Sequence, residues 1–144
     1  MTKPSLNETW QILEALSALT RELTRASAGP DDGPAMTSTQ RLALFEVAVH
    51  GPVRLSELAD RMGITAPTAS RAVDALVDHG LLERRPDPDD RRAVRIDLTG
   101  PGRTQVDERR ARAAAALEPI VSGLSAKDRA QLAALLTRLT DTLR

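Results

Sequence analysis

Between Leu55 and Thr99 the chain reads LSELADRMGITAPTASRAVDALVDHGLLERRPDPDDRRAVRIDLT, and the order of its apolar periods leaves few folds open. Helical spacing appears twice, broken by Gly63, and alternation follows it. Leu55, Leu58, Ala59 and Met62 stand at i, i+3, i+4 and i+7, one apolar face of a short amphipathic helix that Gly63 ends. Ile64 is expected to plug the turn from its apolar side. Thr65 suits an N-cap, because its hydroxyl can accept from an unpaired amide of the next turn. Pro67 then falls in the first turn of the second helix, where its missing N–H costs nothing.

On that second helix Ala66, Ala69, Val73, Leu76 and Val77 gather on one side, Pro67, Thr68, Arg71 and Asp78 face the other way, and Ser70 and Asp74 flank them. The exposed face is small and hydroxylated near its start, with one arginine a turn further on. Such a surface suits a DNA major groove, because small residues permit close approach while Thr, Ser and Arg reach base edges and phosphates. Gly80 supplies the helix stop. Residues 82–85 and 93–98 read as strands, the second alternating Val94, Ile96 and Leu98 against Arg95 and Asp97. Between them Pro86-Asp87-Pro88-Asp89-Asp90-Arg91-Arg92 is a rigid polar tip whose prolines are expected to keep it out of the ladder. Two helices, a tight turn and a hairpin in this order are the layout of a winged helix-turn-helix.

The flanks are helical, so the expected fold class is mainly α (α+β). Residues 5–27 carry Trp10, Leu13, Leu16, Thr20 and Leu23 on one stripe and Ile12, Leu16, Leu19 and Leu23 on an adjoining one, a wide apolar face that must bury itself on something. The stretch from Ser27 to Pro34 repeats glycine and proline and is expected to be a mobile connecting loop. Thr37-Ser-Thr-Gln40 fits a capping box opening a helix that Gly51-Pro52 stops, and Val53 is expected to add a short strand against the wing. Arg54 stands where a Ser or Thr cap belongs. Thr99 caps a long helix with Pro101 in its first turn and a seam of Val106, Arg110, Ala113, Leu117, Ile120 and Leu124. Pro119 inside that helix predicts a kink over residues 115–118. Ser125-Ala-Lys-Asp128 caps a last helix with Leu132, Leu135, Leu136, Leu139 and Leu143 on one face.

At 144 residues the chain suits one domain with a real core. Cysteine is absent, which excludes disulfides, thiol redox sensing and thiolate metal sites. No apolar run approaches the about 20 residues of a membrane span, and no basic-then-apolar signal segment opens the chain, so a soluble cytoplasmic protein is expected. Net charge is zero, from 20 basic and 20 acidic residues, and from Arg54 to Arg103 the two signs again balance. Charge number is thus neutral toward a nucleic-acid partner, and placement must decide. Only Lys3 and Lys127 are lysines, so arginine, the better bidentate donor, carries nearly all positive charge. The terminal helices are more apolar than a monomer of this size easily hides, and pairing them across a two-fold axis would cover them. A dimer would also set two recognition helices about one DNA turn, roughly 10 base pairs, apart on an inverted-repeat operator.

The ordered set LSELADRMGI, TAPTASRAVDALVDHGLLER, DPDDRRAVRIDLT and the following Gly100-Pro101-Gly102 resembles the MarR family of bacterial transcriptional regulators, over nearly the whole chain. The resemblance implies a single domain over residues 1–144, with a winged helix-turn-helix at 37–99 and a dimerisation part at 1–36 plus 100–144. It assigns Thr65, Pro67, Thr68, Ser70 and Arg71 to the major groove; the plainer alternative is an ordinary exposed helix face. It sends Arg92 into the minor groove, where a narrow A·T-rich width concentrates negative potential, with Asp90 holding it in position. For that pair the alternative is an exposed salt bridge on a solvated loop. Arg91 is assigned to phosphate, and Arg84 and Arg85 are further phosphate candidates. Many members of the family bind small aromatic or phenolic effectors beside the dimerisation helices. Trp10 and Phe45, the only aromatic residues, are candidates to line such a crevice, although core packing is the simpler expectation for both.

Nothing in the sequence points to an enzyme, a cofactor or a metal site. A Gly-rich phosphate loop is absent, and the serines have no histidine partner in context. Asp87, Asp89 and Asp90 lack the turn glycine and closing glutamate of a calcium loop. His50 and His79 stand near helix ends, where imidazoles meet terminal carbonyls. The reading is a homodimeric, DNA-binding transcriptional repressor relieved by a small molecule. The alternative is a ligand-independent winged-helix DNA-binding or protein-interaction module.

Overall fold

A computed structural model of the chain describes residues 3–27 and 35–142. Along them run α1 (Leu6–Ser27), α2 (Ser38–His50), β1 (Val53–Arg54), α3 (Leu55–Met62), α4 (Ala66–Asp78), β2 (Leu82–Pro86), β3 (Val94–Leu98), α5 (Gly100–Ser122) and α6 (Ala126–Thr142). The fold is mainly helical, with one small antiparallel sheet in the order β1-β3-β2. Most of the expected loop, residues 28–34, and the expected apolar position Leu143 lie outside the described residues. The chain divides into two compact units, residues 30–109 and residues 1–29 with 110–144.

The winged unit holds the core. Every buried apolar side chain among the described residues lies between Ala43 and Val106, where α2, α3 and α4 pack on one another and on the sheet. The capping box that opens α2 is present: Gln40 N–H donates to Thr37 Oγ1 at 3.2 Å, and Thr37 N–H donates to Gln40 Oε1 at 2.8 Å. Strand β1 pairs with β3 in the register Val53↔Ile96. Arg54 is the N-cap of α3, and because arginine has no acceptor the start is secured from the other side, Arg54 N–H donating to Glu57 Oε2 at 2.9 Å. Leu58, Ala59 and Met62 are buried, and Gly63 ends α3 at φ +64°, a left-handed conformation open to glycine. Ile64 packs against the core from the turn.

Several local expectations change in the folded chain. The buried side of α4 is Ala69, Ala72, Val73 and Leu76, whereas Ala66, expected inside, is exposed. The helix start at Ala66 stays outside the core and burial begins at Ala69, so the apolar face is rotated toward Ala72. Pro86, expected outside the ladder, pairs with Val94 as the last residue of the edge strand β2, where a missing donor is tolerated. Asp87 N–H continues the pairing to the Ala93 carbonyl at 3.0 Å. His50 places Nε2 at 3.6 Å from Glu46 Oε2 one helical turn back, making an i,i+4 pair instead of meeting terminal carbonyls.

In the helical unit, α1 begins with a reciprocal cap: Ser5 N–H donates to Glu8 Oε2 at 2.7 Å and Glu8 N–H donates to Ser5 Oγ at 3.2 Å. Helix α5 runs through Pro119 and ends at Ser122, and α6 starts on Ser125, whose Oγ accepts from Asp128 N–H at 3.1 Å. Neither α1 nor α6 has a buried residue among those described. Trp10 is 64% exposed and Phe45 49%, which corrects the expectation that both pack in the core. The cause is position: Trp10 lies on a helix with no buried residue among those described, and Phe45 lies off the Ala43-Leu44-Val47 side of α2.

Candidate nucleic-acid interface

The helix α4 begins at Ala66 with Thr65 as N-cap and Pro67 in the first turn. Thr65 was expected to cap a backbone amide through its hydroxyl; instead its Oγ1 lies 2.9 Å from Thr68 Oγ1, and no side-chain cap bond forms. Amides that open a helix without a cap point outward beside the positive end of the helix dipole, an arrangement suited to a phosphate oxygen. Thr65, Pro67 and Arg71 are exposed, and Thr68 and Ser70 are half-buried at the edge of that surface. Small groups thus stand at the front of α4 with one long cation behind them. Strand β2 is tied to the same helix by Arg84 Nη2, which donates to Asp74 Oδ1 at 2.6 Å.

The wing has a buried base and an open tip. At the base, Asp87 is the one charged side chain buried among the described residues, and its Oδ2 accepts from Arg54 Nε at 2.8 Å. Arg95 Nε lies 3.0 Å from the same oxygen, close enough for an ion pair though not aligned as a hydrogen bond, and Asp87 Oδ1 accepts from Asp89 N–H at 2.9 Å. The Asp89 amide first, then Arg95 and Arg54, hold the Asp87 carboxyl well below the ordinary carboxylate range despite its burial. At the tip, Asp90 reaches Arg92 through the backbone, its Oδ1 accepting from Arg92 N–H at 3.0 Å, and not through the guanidinium.

The arginines of the winged unit differ in their partners. Arg54 and Arg95 are engaged by Asp87, Arg84 by Asp74, and Arg85 by Glu83 and Asp97. Arg71, Arg91 and Arg92 are exposed and have no side-chain partner among the described residues. Arg61 on α3 and Arg103 on α5 are likewise exposed without a side-chain partner among the described residues, so the unpaired arginines of the winged unit include, but are not limited to, those on α4 and at the wing tip. Arg84 and Arg85, which sequence made phosphate candidates, pair with carboxylates at the surface. Sequence reasoning missed the Arg54–Asp87–Arg95 cluster, and the one hint of it was an arginine at a cap position it cannot serve.

Residues 36–94, from the approach to α2 through the wing, match the sequence model of the MarR family. The HTH-type transcriptional repressor NicR of Pseudomonas putida is 30% identical over 109 residues, 76% of this chain and 69% of that protein. The chain belongs to the MarR family. Like its relatives it is a transcriptional regulator and not an enzyme. Rv1404 of Mycobacterium tuberculosis shares the MarR-family chain's fold at a TM-score of 0.81 with 28% identity, over 98% of this chain and 95% of that one. A MarR-like transcriptional regulator of Thermotoga maritima gives 0.73 with 25% identity over 98% of each chain. Among the described residues of this MarR-family regulator, no helix is long and apolar enough to cross a membrane. A groove between α1 and α6 is lined by Ile12, Leu16, Leu132, Leu135, Leu136 and Leu139, and neither Trp10 nor Phe45 lines it.

Proposed function

We propose that this MarR-family regulator is a cytoplasmic homodimeric repressor. Residues 37–99 bind an inverted-repeat operator in double-stranded DNA, and residues 1–36 with 100–144 hold the dimer. Thr65, Pro67, Thr68, Ser70 and Arg71 read the major groove, Arg92 enters the adjacent minor groove, Arg91 meets phosphate, and Asp90 shapes the turn that presents them. The observation that carries this reading is the pattern of pairing. Arg54, Arg84, Arg85 and Arg95 are engaged by carboxylates, while Arg71 on α4 and Arg91 and Arg92 at the wing tip are, like Arg61 and Arg103, exposed and unpaired among the described residues. Repression is supported by the likeness to NicR, a transcriptional repressor by name. A small aromatic or phenolic effector beside the dimerisation helices would lower operator affinity by preferring a dimer with the wrong recognition-helix spacing. Trp10 and Phe45, both exposed, are the aromatic surfaces such a ligand would use.

The test is binding of the purified chain to DNA spanning its own upstream region and to genome-wide fragments, against scrambled competitor at fixed salt. Selective binding that Arg92→Ala weakens about tenfold is expected. If no fragment is preferred, the winged unit is not a sequence reader and the protein-interaction alternative takes over. A reporter driven by the selected operator should rise when the gene is removed and fall when it is restored.

A further inference from the structure

The buried carboxylate at the base of the wing joins three separate pieces of the fold. Arg54 is the N-cap residue of α3, Arg95 lies on the central strand β3 opposite both Arg54 and Arg85, and Asp89 belongs to the wing tip. All three converge on Asp87 within 3.0 Å. Above it the tip is closed, Asp87 N–H donating to the Ala93 carbonyl at 3.0 Å and Ala93 N–H to the Asp90 carbonyl at 2.9 Å. Arg92 lies in this closed turn with its guanidinium unpaired among the described residues. Moving the base of the wing therefore moves Arg92.

Burying a carboxylate between two guanidiniums is a poor source of stability, since desolvation offsets much of the attraction and apolar residues of the same volume often serve as well. Such a cluster does fix direction, because Arg54 Nε–H and the Asp89 amide each meet a particular oxygen of Asp87 while Arg95 is held beside it as an ion pair. We propose that Asp87 is a positioning residue for DNA binding: clamped by Arg54 and Arg95, it sets the wing against the helix-turn-helix so that Arg92 meets the minor groove while α4 occupies the major groove. The assignment rests on the DNA reading above. Asp87 is buried and anionic, so it touches no phosphate and acts through Arg92.

A double-mutant cycle tests it, with Asp87→Asn, Arg92→Ala and the pair measured on operators carrying either A·T or G·C flanks where the wing lands. Asp87→Asn is expected to lower affinity no more than Arg92→Ala itself, about tenfold, and to cost less than about twofold once Arg92 is already alanine. It should also erase the preference for A·T flanks while leaving discrimination within the half-site read by α4. Equal losses in both Arg92 backgrounds, or a uniform loss over flank and half-site, would overturn the assignment. Arg54→Met, which removes one clamp and no cap bond, should reproduce the flank effect and guards against a misfolded Asp87 variant; melting curves identify the temperature at which each variant is folded. A wild-type chain without selective binding would overturn the DNA reading itself, whereas additive losses with intact wild-type binding overturn only the role of Asp87.

Discussion

Asp87 shows how one side chain changes meaning between sequence and fold. In sequence it is one of three aspartates in a polar tip between prolines; in the folded chain it is buried while Asp89 and Asp90 remain exposed. Its carboxyl is held low, by the Asp89 amide first and then by Arg95 and Arg54. A depressed carboxyl in the folded state contributes stability that is fully present above the unfolded value, near about 4, and is lost as pH falls toward the folded value. The stability difference between wild type and Asp87→Asn should therefore be constant above about pH 5 and shrink progressively below about pH 4. Urea melts at stepped pH measure it, and a difference that grows on acidification would contradict the pairing. Thr65 carries the opposite lesson, since its hydroxyl prefers a neighbouring hydroxyl to a backbone amide.

Among the elements, those with strong periodicity and chemical punctuation were the legible ones. Helix α3 is bounded by Arg54 and Gly63, α2 by its capping box and Gly51, and β3 carries Ile96 and Leu98 buried against half-buried Arg95 and Asp97, although Val94, expected on the same face, is exposed. The junction after the wing was legible only as a motif. Thr99 Oγ1 accepts from Gly102 N–H at 3.0 Å, and Thr99 N–H donates to the Leu81 carbonyl at 3.1 Å, so the first turn of α5 is fastened beside the turn that follows α4. A Cβ on Gly102 would lie 2.0 Å from the Leu81 carbonyl oxygen, a backbone atom that cannot swing aside. Gly102→Ala should cost about 1–3 kcal/mol in urea denaturation, with α5 forced away from that turn. A change of a few tenths would mean that the junction yields.

For the whole molecule, the division of apolar surface is the governing fact. The winged unit buries its core, whereas α6 leaves Leu132, Leu135, Leu136 and Leu139 between 37% and 52% exposed. Helices of this length gain most of their stability from packing a face, so those leucines call for a partner surface, and the proposed homodimer supplies one. Leu135→Glu should convert the dimer to a monomer in sedimentation and with it abolish tight operator binding, while the melting of the winged unit is little changed. A variant that stays dimeric would place the interface elsewhere.

The sequence by itself determined the winged helix-turn-helix, its element order and the family, because these depend on local periods, caps and turns that each residue carries wherever it is placed. Only the tertiary structure decided which arginines are spent on carboxylates and which remain open, that Asp87 is the buried hub of the wing, and that Ala72 and not Ala66 enters the core. Those outcomes depend on partners far apart in the chain, Arg54 and Asp87 above all, and on how each helix rotates to meet its neighbours. Charge counts and apolar periods contain neither.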